Sequence, residues 1–171
     1  ASRNQAWAAE IGDALKRAVI ASEDARFCTH RGIDLVELRA AIDDAEDIAD
    51  IRGGSTISQQ LAKNLFLTPT KSYFRKAEEA IITLMLENLW SKRRIFEVYL
   101  NVIEWGNGVF GAEAAARHYF GIGAAQLGPE QAAKLAGMVP NPRFYDRNRN
   151  APGLARKTAI ILARMPSAEV P

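Results

Sequence analysis

Residues 80–90, AIITLMLENLW, carry apolar side chains nearly all the way round a helical projection. A helix with one apolar stripe lies on a surface, whereas a helix that is apolar on every side is surrounded. This segment is therefore expected to be the central helix, wrapped by others. Outward from it, apolar residues recur at spacings of three and four, and convincing period-two strands are hard to find. The spacing predicts helices over roughly 8–23, 34–47, 55–66, 75–90, 92–101, 109–118, 124–127, 129–138 and 151–165, so the fold class is mainly α. Local punctuation agrees: Ser55 can cap the third helix, Pro129 suits a first-turn position, and Pro140 with Pro142 stops the helix before them. Two stretches break the pattern, the charged 47–54 (DIADIRGG) and the mixed 67–74 (LTPTKSYF).

The chain has 171 residues, of which 48% are hydrophobic and 25% charged, a mix that suits one globular domain with its own core. No repeat or shift in composition divides it. The net charge is only +2, although basic residues gather at Lys92, Arg93 and Arg94, at Arg147 and Arg149, and at Arg156 and Lys157. Local anion binding fits that pattern; a field reaching along a nucleic acid does not. Cys28 is the sole cysteine, which excludes an internal disulfide and, with two histidines, leaves no zinc set of the usual kind. No run of about 18 apolar residues occurs. The opening ASRNQAWAAEIGDALKRA reads as polar and helix-prone rather than as a signal peptide, so any membrane anchor is expected outside these residues.

Four segments carry chemistry. In 22–32, SEDARFCTHRG, Glu23 follows the apolar run AVIA, where desolvation could raise its basicity as a general base needs. A solvated or ion-paired acid at a helix end fits the same position. In 52–66, RGGSTISQQLAKNLF, Gly53 and Gly54 allow a tight turn into a helix whose N-terminus is an anion site. Ser55, Gln59 and Lys63 then fall at i, i+4 and i+8 on one face, able to follow a diphosphate and its sugar, or to form an ordinary polar surface. In 71–87, KSYFRKAEEAIITLMLE, Arg75 and Lys76 precede Glu79, a carboxylate opening an apolar helix, with an Arg75–Glu79 ion pair as the plain alternative. The stretch 91–121 supplies a helix from Ser91, a glycine-rich turn at Trp105–Gly108 and an alanine-rich helix suited to close packing. His118, beside Tyr119 and Phe120, fits a packed or surface histidine better than a catalyst.

In this order the segments resemble the five motifs of the peptidoglycan glycosyltransferases, family 51 of the glycosyltransferases, over about Ala18 to Met165. EDARFCTHRG is similar to the first motif, RGGSTISQQLAKN to the second and most specific, RKAEE to the third, SKRRIFEVYLN to the fourth and ARKTAIILARM to the fifth. The continuation VIEWGNGVFGAEAAARHYFG looks like the monofunctional enzymes of Gram-negative bacteria. The resemblance implies a lysozyme-like, two-lobed α-helical domain spanning 1–171, with a smaller membrane-facing lobe around 33–74 and a membrane helix preceding these residues. It implies a location on the periplasmic side of the bacterial inner membrane. Its implied substrates are lipid II and the growing lipid-linked glycan, joined through β-1,4 bonds with inversion at the donor carbon. Other implied partners are the membrane surface and proteins of cell wall synthesis or division, with no nucleic acid. No cofactor is implied, with room for a divalent cation near the diphosphate.

Carried over by position, Glu23 matches the base that deprotonates the acceptor 4-hydroxyl and Glu79 the second glutamate near the donor diphosphate. Ser55, Gln59 and Lys63 match the helix face that contacts phosphate and sugar, and Arg75 with Lys76 the basic pair of the third motif. Lys71 stands where the family usually has an arginine, keeping the charge and losing the bidentate fork. A lysozyme-like hydrolase or lytic transglycosylase is the nearest rival, but it has no diphosphate for the basic second motif to hold. A non-catalytic module binding anionic lipid or nucleic acid is another, and would leave both glutamates idle. Residues 64–74, NLFLTPTKSYF, are expected to form a mobile, membrane-facing gate, because Leu65, Phe66, Leu67, Tyr73 and Phe74 are too apolar for a solvated loop. Closure of the core by those aromatics is the alternative.

Overall fold

A computed structural model describes residues 10–43, 54–67 and 73–171. Most of 47–54, the middle of 64–74 and Lys71 therefore lie outside the described residues. The elements are α1 (Asp13–Glu23), α2 (Leu35–Asp43), α3 (Ile57–Phe66), α4 (Tyr73–Leu89), α5 (Lys92–Val102), β1 (Glu104–Gly106), β2 (Val109–Phe110), α6 (Ala112–Phe120), α7 (Pro129–Met138), α8 (Pro142–Arg147) and α9 (Pro152–Arg164). The chain is mainly α, as its periodicity predicts. β1 and β2 form a small antiparallel hairpin at the glycine-rich turn, and α8 is a short helix that periodicity passes over. Pro142 does not only end the preceding helix; it opens α8 in the first turn, where its missing N–H costs nothing.

Capping follows side-chain chemistry, with one shift of register. Thr56, not Ser55, caps α3: its hydroxyl accepts from the Gln59 N–H at 3.1 Å, while Gln59 Oε1 accepts from the Thr56 N–H at 2.9 Å. This reciprocal capping box satisfies two orphan donors at once. The Thr56 hydroxyl also donates to the Gly32 carbonyl, an anchor that Ser55, exposed one residue earlier, does not make. Ser91 caps α5 by accepting from the Arg94 N–H at 3.2 Å. Pro129 occupies the first turn of α7 as expected.

The core is built on close helix contacts. α1 lies against α7 and α7 against α9, and α3 packs on both α4 and α5. Leu15, Ala18, Val19 and Ile20 of α1 and Ala132, Ala133, Leu135 and Ala136 of α7 are fully buried, alanine letting the two backbones approach. Trp105 is buried whole, and its indole N–H donates to the Leu135 carbonyl at 3.0 Å, tying the hairpin to α7.

The expectation for 80–90 needs correction. Thr83 and Leu86 are buried, but Ile81 is 60% exposed, Leu84 46%, Met85 55% and Leu89 74%, so α4 is covered on one side only. Apolarity all round a helix reports that water is unwelcome on every face; it does not say that protein covers every face.

Gly32 shows how tightly the loop after α1 is set against α4. Its φ is +91°, and a Cβ built there meets Thr83 Cγ2 at 2.8 Å. Gly32→Ala combines a disfavoured backbone angle with overpacking and should lower stability by about 3 kcal/mol in urea denaturation. A loss below about 1 kcal/mol would show that this loop and α4 yield freely.

Candidate active site

Glu23 is the last residue of α1, where the helix opens into a cleft of about 400 Å³. The end of α1, the loop after it, α2, the start of α3, Pro140 and Arg164 line that cleft. Glu23 Oε1 accepts from Ser22 Oγ at 2.9 Å and Oε2 from Gln60 Nε2 at 3.1 Å. Burial raises the pKa of this carboxyl above the ordinary 4.5; the bonds from Gln60 and Ser22 and the charge of Lys157 pull it back, and Asp24 pushes it up further. A carboxylate held by neutral donors, with no cation in contact, retains the basicity that a salt bridge would remove.

The neighbouring acid has the opposite environment. Both oxygens of Asp24 lie 2.9 Å from His30 Nε2, and Oδ2 also accepts from the Ile57 N–H at 3.0 Å, at the first residue of α3. His30 Nδ1 accepts from the Gly32 N–H at 3.1 Å. That contact places the ring proton on Nε2, where it is given to Asp24. Asp34 caps α2 through Oδ1, accepting from the N–H groups of Val36 and Glu37, and its Oδ2 lies 3.4 Å from Arg26 Nε. Asp24, His30 and Asp34 bring possible metal-ligand atoms within 4.8 Å of one another. Both ring nitrogens of His30 are already engaged, so the cluster acts as a brace between the loop and α3.

A second, smaller pocket of about 130 Å³ adjoins the first and is lined by Ser55, Gln59, Gln60, Lys63, Arg75, Lys76 and Glu79. Ser55 and Gln60 line both. Six of the eight residues singled out in the sequence thus meet in one place, with Glu23 next door and Lys71 outside the described residues. Glu79 is only 4% exposed, and its Oε1 accepts from Lys76 Nζ at 2.5 Å. The cation facing Glu79 is therefore Lys76 at i+3 spacing, while Arg75 lines the same pocket. Gln59 is buried and its side-chain oxygen is committed to the α3 cap.

The residue that sequence spacing passed over is Gln60. Counting from Ser55 selects Gln59, which does line the smaller pocket with Ser55 and Lys63, and Gln60, one position round the helix, is the glutamine that faces α1. The adjacent glutamine pair was the available signal. His118 lies elsewhere, 3.2 Å from Asp146 and edge-on to the Tyr119 ring, as a surface histidine.

Comparison with known proteins bears on this arrangement. The family model described as transglycosylase matches residues 1–166. The biosynthetic peptidoglycan transglycosylase of Dechloromonas aromatica (strain RCB) is 76% identical over 158 residues, covering 92% of this chain and 68% of that protein. The proteins of the same name from Chromobacterium violaceum and Nitrosospira multiformis are 63% and 61% identical over 163 residues. Those alignments cover 95% of this chain and 72% and 71% of the two relatives. With a family match over nearly its whole length and identities this high, the chain belongs to the transglycosylase family.

Proposed function

We propose that this chain polymerises lipid II into β-1,4-linked glycan strands, with inversion at the donor anomeric carbon and release of undecaprenyl diphosphate. The coarser part of that statement, glycosyl transfer in building peptidoglycan for the cell wall, follows from family membership. The finer part rests on one observation: a desolvated carboxylate, Glu23, adjoins a pocket carrying Lys63, Arg75 and Lys76, and the two share Ser55 and Gln60.

In this reading the acceptor 4-hydroxyl enters the larger cleft and gives its proton to Glu23 as its oxygen bonds to the donor anomeric carbon. The bond from that carbon to the diphosphate oxygen breaks on the opposite side, and its electron pair leaves with the diphosphate. Lys63, Arg75 and Lys76 stabilise the charge that develops there. Glu79 holds Lys76 in place, which suits a role in positioning the diphosphate. One displacement inverts the carbon, giving a β bond from an α-linked donor. No organic cofactor enters this reaction, and a divalent cation accompanying the diphosphate would add to the charge of these side chains.

The partner surface proposed is the membrane on the periplasmic side of the bacterial inner membrane. Among the described residues no helix is long and apolar enough to cross a bilayer. Phe66 is 57% exposed and Phe74 84%, and the open face of α4 continues from them. Aromatics that close a core would be buried, so these exposures support lipid contact over core closure. Proteins of cell wall synthesis or division are further proposed partners.

Glu23→Gln should lower polymerisation of labelled lipid II by about 100-fold or more, because the amide keeps the shape and loses the basicity. Its fold should survive. A carboxyl whose pKa is raised by folding contributes stability below about 4.5 that is lost as pH rises through the folded value, so the glutamine variant should melt no lower than wild type at neutral pH. Near wild-type turnover would remove Glu23 from the base role.

Glu79→Gln should be severely impaired and Glu78→Gln tolerated, since Glu79 is buried in the pocket and Glu78 is exposed about 100° further round α4. Turnover of lipid II in detergent decides between them, and the reverse order would move the second acid to Glu78.

The double change Phe66→Ser and Phe74→Ser should leave the melting temperature almost unmoved while liposome binding and lipid II turnover fall together. A strongly destabilised double mutant would assign both rings to the core.

A further inference from the structure

Tyr99 lies on α5 with no exposed surface, yet its hydroxyl reaches Gln60, which lines the cleft. It donates to Gln60 Oε1 at 2.8 Å. The other end of that amide, Nε2, lies 3.1 Å from Glu23 Oε2 and 3.4 Å from the Ser55 carbonyl. A carbonyl and an ionised carboxylate only accept, so the NH2 group must face them, the amide oxygen must face Tyr99, and Tyr99 must be the donor. The orientation of Gln60 is thereby set by its neighbours. We propose that Tyr99 is a positioning residue, locking the Gln60 amide in the orientation that supports Glu23 as a carboxylate. The proposal rests on the reading of Glu23 as the base.

The lock matters because a glutamine amide has two orientations of nearly equal shape. With NH2 toward Glu23, the amide donates to a carboxylate. Reversed, its oxygen meets the carboxyl and is tolerated only when Glu23 carries a proton to donate. The first orientation keeps the base in its working form and the second keeps it as an acid. The Tyr99 hydroxyl favours the first, because reversal would turn the amide NH2 toward it and cost the bond it donates. Burial, reinforced by the negative charges of Glu23 and Asp24, holds Tyr99 ionisation well above 10, so the phenol remains a donor wherever the enzyme works.

The other groups around Glu23 are distinct from this lock. Asp24 beside it raises its pKa, Lys157 of α9 lowers it, and Ser22 donates to its other oxygen. Glu37 of α2 and Arg164 of α9 line the same cleft. Tyr99→Phe leaves all of them in place and keeps the ring in the core.

The test follows the pH profile of lipid II polymerisation by the full-length protein in detergent. In Tyr99→Phe the acid limb should move up by about one pH unit, a loss of about tenfold below the limb that recovers at higher pH. Gln60→Met, which keeps length and deletes the bonds to Glu23, Ser55 and Tyr99, should move the limb at least as far, and adding Tyr99→Phe to it should move it no further. A residue needed only for packing would lower the rate equally at every pH. An unmoved limb together with an unmoved Glu23 titration in Tyr99→Phe, or an equal shift in the Gln60→Met background, overturns the lock. If Tyr99→Phe fails to fold, an unmoved limb together with an unmoved Glu23 titration in Gln60→Met alone overturns it. The carboxyl carbon-13 signal of Glu23, assigned with Glu23→Gln, separates this from the catalytic reading. Movement of its titration in Tyr99→Phe without movement of the polymerisation profile keeps the lock and removes Glu23 from the base role, whereas an unmoved titration removes the lock.

Discussion

The carboxylate of Asp24 accepts from the backbone N–H of Ile57 and from His30, and through these bonds the end of α1 is tied to the start of α3. Glu23 is its neighbour in the chain, so whatever fixes Asp24 also fixes where Glu23 leaves its helix. The same tie runs on through His30 to the Gly32 N–H, and from the Gly32 carbonyl to the Thr56 hydroxyl that caps α3. Each bond satisfies a buried polar group that would otherwise be costly, and together they brace this loop against α3. Of the residues shared by the two pockets, Gln60 sits in the first turns of α3 and Ser55 just before its cap, both beside this tie.

Three acids near this junction show how environment assigns work to identical chemistry. Asp24 is paired to His30 and a backbone donor, and Glu79 to Lys76, so each is held as a structural or positioning anion. Glu23 has neutral donors and a desolvated setting, with Lys157 acting on it only through space. A base near neutral pH needs the second kind of setting. Separating the proposed base from its anchor within two consecutive residues requires that they point to different surroundings, and the turn at the end of α1 does this.

The open side of α4 is apolar. Ile81, Leu84, Met85 and Leu89 all leave surface in contact with solvent along one helix. The proposed lipid-linked substrate would have use for such a surface beside the smaller pocket, to which α4 itself contributes Arg75, Lys76 and Glu79. One helix therefore carries charge at its start and exposed apolar side chains along its length.

The sequence by itself determined the mainly helical class, most helix positions, and the set of residues that carry charge and acid. Those properties are local: spacing of apolar residues, proline and capping chemistry, and motif order are all written along the chain. Tertiary structure alone decided which side of α4 is covered, because apolarity states an aversion to water and not an identity of partner. It decided that Thr56 and not Ser55 caps α3, through a bond to Gly32, which is 24 positions away. It also decided that Gln60 meets Glu23 while Gln59 lines the smaller pocket, since neighbours on a helix point about 100° apart. Tyr99 came into view last, because a hydroxyl 39 positions from Gln60 is joined to it only by the packing of α5 against α3.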